Sequence, residues 1–303
     1  MFKRSKFLIY QALIGIFLFA FATAKSVADS FDRDGYLQSL KRSHIWLDYY
    51  PVNYEPSGIS SLFNSKRIDV LIAREDKKPI YPKYAIIGMP GGEGLAHIEL
   101  KPINNQSDSW ASGSWHPVRE VVQSFWAWGF PERARDLFID EDFIFVYTDA
   151  TSNVEKVNAL VAQLQKSFPK IQIYIHGISR GTYSSMSLGE SLDGKVAGFI
   201  HSSAMNVIAS YRTDNKKSRH LLVHHRKDAC DGTLLASSEI NRDRYGTELI
   251  LIDNDITSDT GDTACGSFTY HGFFMADQQA VDLIKAWVKK SCLLYTSDAA
   301  DDT

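Results

Sequence analysis

The sequence predicts an α/β fold, with a mostly parallel central sheet and helices on both of its faces. Three observations carry this. Short apolar runs rich in β-branched residues alternate with segments of helical period, the order expected when crossover helices join parallel strands. The run Tyr84–Gly88 (YAIIG) is apolar without alternation, as in a strand buried on both faces. Ile171–Ser185 (IQIYIHGISRGTYSS) reads as strand, tight turn and helix start, with Ile171, Ile173 and Ile175 bounded by Pro169 and Gly177.

Residues 25–65 are weakly patterned. Phe31–Leu47 holds at most a short helix, and Pro51, Pro56 and Gly58 then break any period. Arg67–Arg74 (RIDVLIAR) reads as a strand and Asp76–Pro82 as a turn. Tyr84–Gly88 is the next strand, followed directly by the glycine-rich Met89-Pro90-Gly91-Gly92-Glu93-Gly94. Leu95–His116 is long and poorly periodic, and is expected to wall a pocket through its Leu95–Trp115 stretch, which carries Trp110 and Trp115. Pro117–Phe130 has Val118, Val121, Val122 and Phe125 at helical spacing and is expected to be a helix. Phe143–Thr148 (FIFVYT) is a strand. Ser152–Phe168 is the cleanest helix: a Thr/Ser/Asn cap precedes it, Val154, Val157, Leu160, Val161, Leu164 and Phe168 share one face, and Pro169 follows. Thr182–Leu192 reads as a helix of small residues suited to close packing on a sheet. Gly198–Ser203, His220–His225 and Glu248–Asp253 are strands, with one short helix expected in Ala204–Arg219. Asp277–Lys290 closes the domain as a helix with Val281, Ile284, Trp287 and Val288 on one face.

At the N-terminus, Lys3, Arg4 and Lys6 precede the apolar run Phe7–Ala22, and Ala22-Thr23-Ala24 fits a cleavage site. Residues 1–24 are expected to be a secretory signal peptide, which places the mature chain in the periplasm or outside the cell. No other run is long enough to span a membrane. Cys292–Asp301 (CLLYTSDAAD) has the sequence of a translated transposase sequencing adapter, so residues 292–303 are read as a non-native tail. Residues 25–291 remain as a single domain. The net charge of −3 gives no electrostatic case for nucleic acid or an anionic membrane surface. Of the 3 cysteines, Cys292 falls in the tail, and the remaining pair in an exported chain, Cys230 and Cys265, predicts a disulfide. His224 and His225 lie near Cys230, but no C-x-x-C spacing marks a zinc site, and no metal or organic cofactor is expected.

The chemistry concentrates in Gly177-Ile178-Ser179-Arg180-Gly181, a G-x-S-x-G between strand and helix. Such a turn holds a serine out of the sheet, and glycines on either side are needed where strand and helix converge. It also sets the backbone N–H of Arg180 at a helix N-terminus, where it can face a developing oxyanion. The Pro90-Gly91-Gly92 loop is the place for a second oxyanion donor. Its rival, a phosphate-binding loop, lacks the G-K-[ST] ending. Serine is a weak nucleophile, so it needs a histidine base, and the base needs a carboxylate to fix its tautomer. Ser179, Asp228 and His271 each follow a strand, in that order along the chain. Asp231 and Asp253 are alternatives to Asp228, as are His201, His224 and His225 to His271. A Cys230–Cys265 bond would tie the loop of Asp228 to the loop of His271.

Pro90-Gly91-Gly92, Gly177–Gly181, His224–Cys230 (H-H-x-x-D-x-C) and Cys265 with His271-Gly272-Phe273 together resemble exported serine-hydrolase members of the α/β-hydrolase superfamily, over residues 67–290. The resemblance implies an α/β-hydrolase fold and a Ser179–His271–Asp228 triad. It places the oxyanion hole at the N–H groups of Arg180 and Gly92, with Gly91 the near alternative. The short segment between Ser203 and His220 leaves no room for a large cap domain. The expected activity is cleavage of an ester, with amide or thioester as lesser candidates, through an acyl-enzyme; the substrate is a small-molecule or polymeric ester. A catalytically inactive binding module and an acyltransferase using the same triad are the alternatives.

Overall fold

The computed structural model describes residues 31–54, 67–75, 81–92, 98–102, 116–123, 129–148, 150–256 and 259–297. The expected signal peptide lies outside the described residues. The elements in chain order are α1 (Arg33–Ser39), β1 (Ile45–Tyr49), β2 (Val52–Asn53), β3 (Arg67–Ile68), β4 (Val70–Glu75), β5 (Tyr84–Met89), β6 (Ile98–Pro102) and β7 (His116–Gln123). There follow α2 (Arg135–Phe138), β8 (Phe143–Thr148), α3 (Val154–Ser167), β9 (Gln172–Ile178), α4 (Gly181–Ser191), β10 (Gly198–Ser202) and β11 (Arg219–His225). Last come α5 (Leu235–Tyr245), β12 (Glu248–Ile252) and α6 (Asp277–Ser297).

A 10-stranded sheet runs β12-β11-β10-β9-β5-β8-β4-β1-β7-β6. From β12 through β8 every neighbouring pair is parallel. The edge formed by β4, β1, β7 and β6 is antiparallel. β5, β8 and β10 are buried at every position: β5 and β8 through nearly continuous apolar runs, β10 with His201 and Ser202 hydrogen-bonded to Ser185 and His176. One face carries Phe138 of α2 and the α6 stripe Ala280, Val281, Ile284, Trp287 and Val288, packed on Ile86, Phe145 and Tyr174. The other carries Val157, Leu160, Val161 and Leu164 of α3 and Leu188 of α4, packed on Ala85, Ile87, Ile173 and Ile175. This is the expected α/β architecture. Between β10 and β11 stands only a short 3-10 turn, Asn206–Ser210, with no cap domain.

Three elements depart from the sequence reading. Residues 116–123 form a strand, not the start of a helix, pairing with β1 on one side and β6 on the other. The valines that suggested a helical face are β-branched, and sheet pairing on both sides decides the outcome. Helix α5 carries no apolar stripe; it buries Ser237, Ser238 and Asn241, whose side chains are tied by hydrogen bonds. Helix α6 continues past Lys290 to Ser297, through residues that include no proline or glycine to stop it. No helix among the described residues is long and apolar enough to cross a membrane.

Candidate active site

Strand β9 ends at Ile178 and α4 begins at Gly181, leaving two residues for the reversal. Ser179 takes φ 51°, a left-handed conformation that costs a side-chain-bearing residue roughly 1–3 kcal/mol. Its N–H donates to the Ser202 carbonyl (3.0 Å), and its carbonyl accepts from the Thr182 N–H (2.9 Å) and hydroxyl (2.6 Å). The flanking glycines are required sterically. A Cβ on Gly177 would stand 2.3 Å from the Gly181 carbonyl oxygen, and one on Gly181 would stand 2.3 Å from that of Met89. The Pro90–Gly92 loop is thereby pressed against the turn: a Cβ on Gly91 would lie 3.2 Å from the Ile178 oxygen and 3.4 Å from Ser179 Cβ. Arg180 opens the first turn of α4, where backbone N–H groups have no partner inside the helix.

His271 stands in a short 3-10 turn, Tyr270–Gly272, and is buried to 4 % exposure. Several bonds fix its backbone. Ser203 Oγ donates to the His271 carbonyl (2.7 Å), and the His271 N–H donates to Thr269 Oγ1 (3.2 Å). The buried Arg133 guanidinium donates to the carbonyls of Ser267 and Gly272 and to the Asp277 carboxylate (2.9 and 3.2 Å). His271 Nδ1 lies 3.1 Å from Asp228 Oδ2. A carboxylate can only accept, so the Nδ1 proton points to Asp228 and Nε2 is left as the basic nitrogen.

Asp228 has no exposed side-chain surface. Its Oδ1 accepts from the Cys230 N–H (2.9 Å), and its Oδ2 from Thr233 Oγ1 (3.1 Å). His224 Nε2 lies 3.3 Å from the same Oδ2, while His224 Nδ1 lies 3.1 Å from Ser238 Oγ. Burial alone would raise the Asp228 carboxyl. Hydrogen bonds from His224 and His271, the His271 charge and the Cys230 N–H outweigh it and hold the group well below the usual carboxylate range.

A cleft of about 230 Å³ brings Ser179, His271, Gly91, Gly92 and Arg180 to one surface, with Phe130, Glu132 and Cys265 among its other walls. Ser179 and His271 both line it, with no hydrogen bond between their side chains. Cys230 and Cys265 are joined, with Cα atoms 4.7 Å apart, so the Asp228 loop is tied to a wall of the cleft. Of the Leu95–Trp115 stretch expected to wall a pocket, Ile98–Pro102 is the outermost strand, and the rest lies outside the described residues.

The alternative residues are occupied elsewhere. Asp253 pairs with Arg226 (3.4 Å) on the surface, and Asp231 is exposed, only its backbone carbonyl accepting from the Asn206 side chain (2.8 Å). His201 bonds Ser185 Oγ (2.7 Å) and His220 (3.0 Å) within the core, where burial, then the His220 and His176 charges, hold it well below the ordinary histidine value. His225 bonds Asn254 (2.8 Å) and stacks on Tyr270. Sequence reasoning did not single out Thr233, Ser203, Glu132 or Arg133, and it weighed His224 as a rival base, a metal ligand and part of the H-H-x-x-D-x-C segment, not as a partner of Asp228. A lone polar residue without a motif gives no signal; only His224, four residues before Asp228, carried one.

No protein-family model and no curated protein sequence matches the chain. Among solved structures it is similar to an acylaminoacyl peptidase from Pyrococcus horikoshii (10% identity, TM-score 0.42), over 84% of this chain and 42% of that one. It is also similar to a lidless α/β serine hydrolase from Xanthomonas campestris (10% identity, TM-score 0.45), covering 78% of this chain and 94% of that one. A CIB-like hydrolase from Thermoplasma acidophilum gives 10% identity and TM-score 0.46, over 81% and 99% of the two chains. The chain thus spans under half the length of the peptidase. These likenesses are distant, and the site stands on the chain's own geometry.

Proposed function

We propose that the chain is a serine hydrolase of the α/β-hydrolase superfamily, cleaving an ester through an acyl-enzyme formed on Ser179. The observation that carries this reading is the buried Asp228–His271 pair, whose imidazole faces the same cleft as a serine held at a left-handed turn. In the first half-reaction His271 Nε2 takes the Ser179 proton as Oγ attacks the ester carbonyl. The tetrahedral oxyanion faces the Arg180 N–H and that of Gly92 or Gly91. Collapse breaks the bond to the alcohol oxygen, which leaves with the proton from His271. Water then attacks the acyl-enzyme, gives one proton to His271, and releases the acid as the proton returns to Ser179. Asp228 stays ionised throughout and stabilises the imidazolium.

Burst kinetics on p-nitrophenyl butyrate test this. Wild type should release p-nitrophenol in a burst proportional to enzyme, and Ser179→Ala should show none. A wild type with no turnover would contradict the reading. An oxidising compartment, the periplasm or the exterior, is supported by the Cys230–Cys265 bond. Fractionation of the native host that recovered the protein with both thiols reduced in the cytosol would contradict that placement.

A further inference from the structure

Among the described residues the cleft holds one carboxyl group, and the triad chemistry does not use it. Glu132 is among its lining residues and is 3 % exposed. Its Oε1 is buried without a hydrogen-bond partner. The oxygen lies against the strand that delivers the Pro90–Gly92 loop: a Cβ on Gly88 would stand 3.0 Å from it and 2.8 Å from the Phe145 ring. The residue is fixed from behind by Tyr147, whose hydroxyl donates to the Glu132 carbonyl (2.9 Å).

Neighbouring cations are committed elsewhere. Arg133 is bound to Asp277 and to the carbonyls beside His271, and Arg135 lies 3.2 Å from Asp136 and 3.3 Å from the Tyr147 hydroxyl. Burial pushes the Glu132 carboxyl up to about 8, against the pull of its own N–H and of the Arg133 and Arg135 charges. At neutral pH the group is chiefly an uncharged acid with one O–H to give. An unsatisfied buried polar group is costly, so it favours whatever ligand supplies the missing partner. A cationic ligand would meet the fields of Arg133 and Arg135, and Arg180 at the cleft wall. An uncharged oxygen would not.

We propose that Glu132 is a specificity-determining residue of this cleft, offering a hydrogen bond to an uncharged oxygen on the substrate. The preferred esters then carry an ether, hydroxyl or carbonyl oxygen in place of a chain methylene. This rests on the hydrolase reading. The groups around Glu132 are Arg133 and Arg135 from its own segment, Tyr147 from β8, and Arg180 and His271 across the cleft. Burial raises the Tyr147 phenol, which therefore stays protonated.

The test compares isosteric ester pairs that differ by one ether oxygen: p-nitrophenyl methoxyacetate against butyrate for the acyl side, and 2-methoxyethyl against butyl acetate for the alkoxy side. Within each pair the ratio of kcat/KM values is followed, so pH effects common to both esters cancel. In at least one pair, Glu132→Met should lower the oxygen-over-methylene ratio about tenfold, while Glu132→Gln, which keeps a donor, should hold it at pH 7. The wild-type ratio should also fall above about pH 8 as the acid ionises, and the Glu132→Gln ratio should stay flat. That pH comparison decides the matter even if the methionine variant does not fold. Ratios that ignore both the variants and pH in an active enzyme would overturn the proposal alone. A wild type that cleaves none of the esters would overturn the hydrolase reading, and this one with it.

Discussion

His271 and the trio His176, His201 and His220 are the same residue type in two regions, with opposite properties. The trio sits within the sheet strands, bonded to serines or to one another, and stays uncharged. Burial lowers His176 to about 3 and His220 to about 4. His271 sits on a loop between the cleft and a buried carboxylate. The comparison teaches that burial does not make a histidine a base. A fixed acceptor on one nitrogen, and a route to substrate on the other, does.

The sharpest way to break that comparison is to remove one histidine from each region. Ser179→Ala, His271→Gln and Asp228→Asn should each lower kcat/KM on p-nitrophenyl butyrate roughly a thousandfold or more. His176→Gln should leave it at the wild-type level when assayed below its unfolding temperature. Equal losses at His176 and His271 would erase the distinction.

Next in size is the pH dependence of stability. The folded pKa values of His176, His201 and His220 lie below the unfolded value of about 6.5. Stability is therefore full above pH 6.5 and is lost as pH falls toward 4, because the unfolded chain binds protons that the folded chain refuses. Each proton contributes a slope of up to about 1.4 kcal/mol per pH unit. Asp228 has the opposite charge type but the same sign: its stabilisation is complete above about pH 4 and is lost only below that. Urea unfolding at stepped pH should show a slope that falls by up to one proton in His176→Gln.

Smaller again is the disulfide. Cys230→Ser with Cys265→Ser should cost about 2–4 kcal/mol by urea unfolding, and should raise KM more than it lowers kcat if the tie mainly shapes the cleft wall. The least effect is expected at His224. His224→Leu takes the imidazole away from Asp228 Oδ2 and leaves the Nδ1 bond of His271 in place, so kcat/KM should fall only about tenfold.

The site was legible where chemistry imposes a pattern. Ser179 showed through the glycines its turn needs, and Cys230 and Cys265 through cysteine parity. Asp228 and His271 showed through their places after strands, though only geometry separates them from Asp253 and His225. The fold was legible where strands are buried on both faces. It was not at residues 116–123, where valines satisfy two periods and pairing with β1 and β6 decides. Helix α5 was silent because it packs through Ser237, Ser238 and Asn241 rather than an apolar stripe. Glu132 and Arg133 were silent because their roles come from contacts far along the chain, such as Asp277.

Fluorophosphonate labelling with peptide mapping tests the central claim most directly. Wild-type protein should carry the label on Ser179; Ser179→Ala should take none, and His271→Gln should react far more slowly, while His176→Gln matches wild type. Label on another serine, or an undiminished rate in His271→Gln, would contradict the assignment of His271 as the base that activates Ser179.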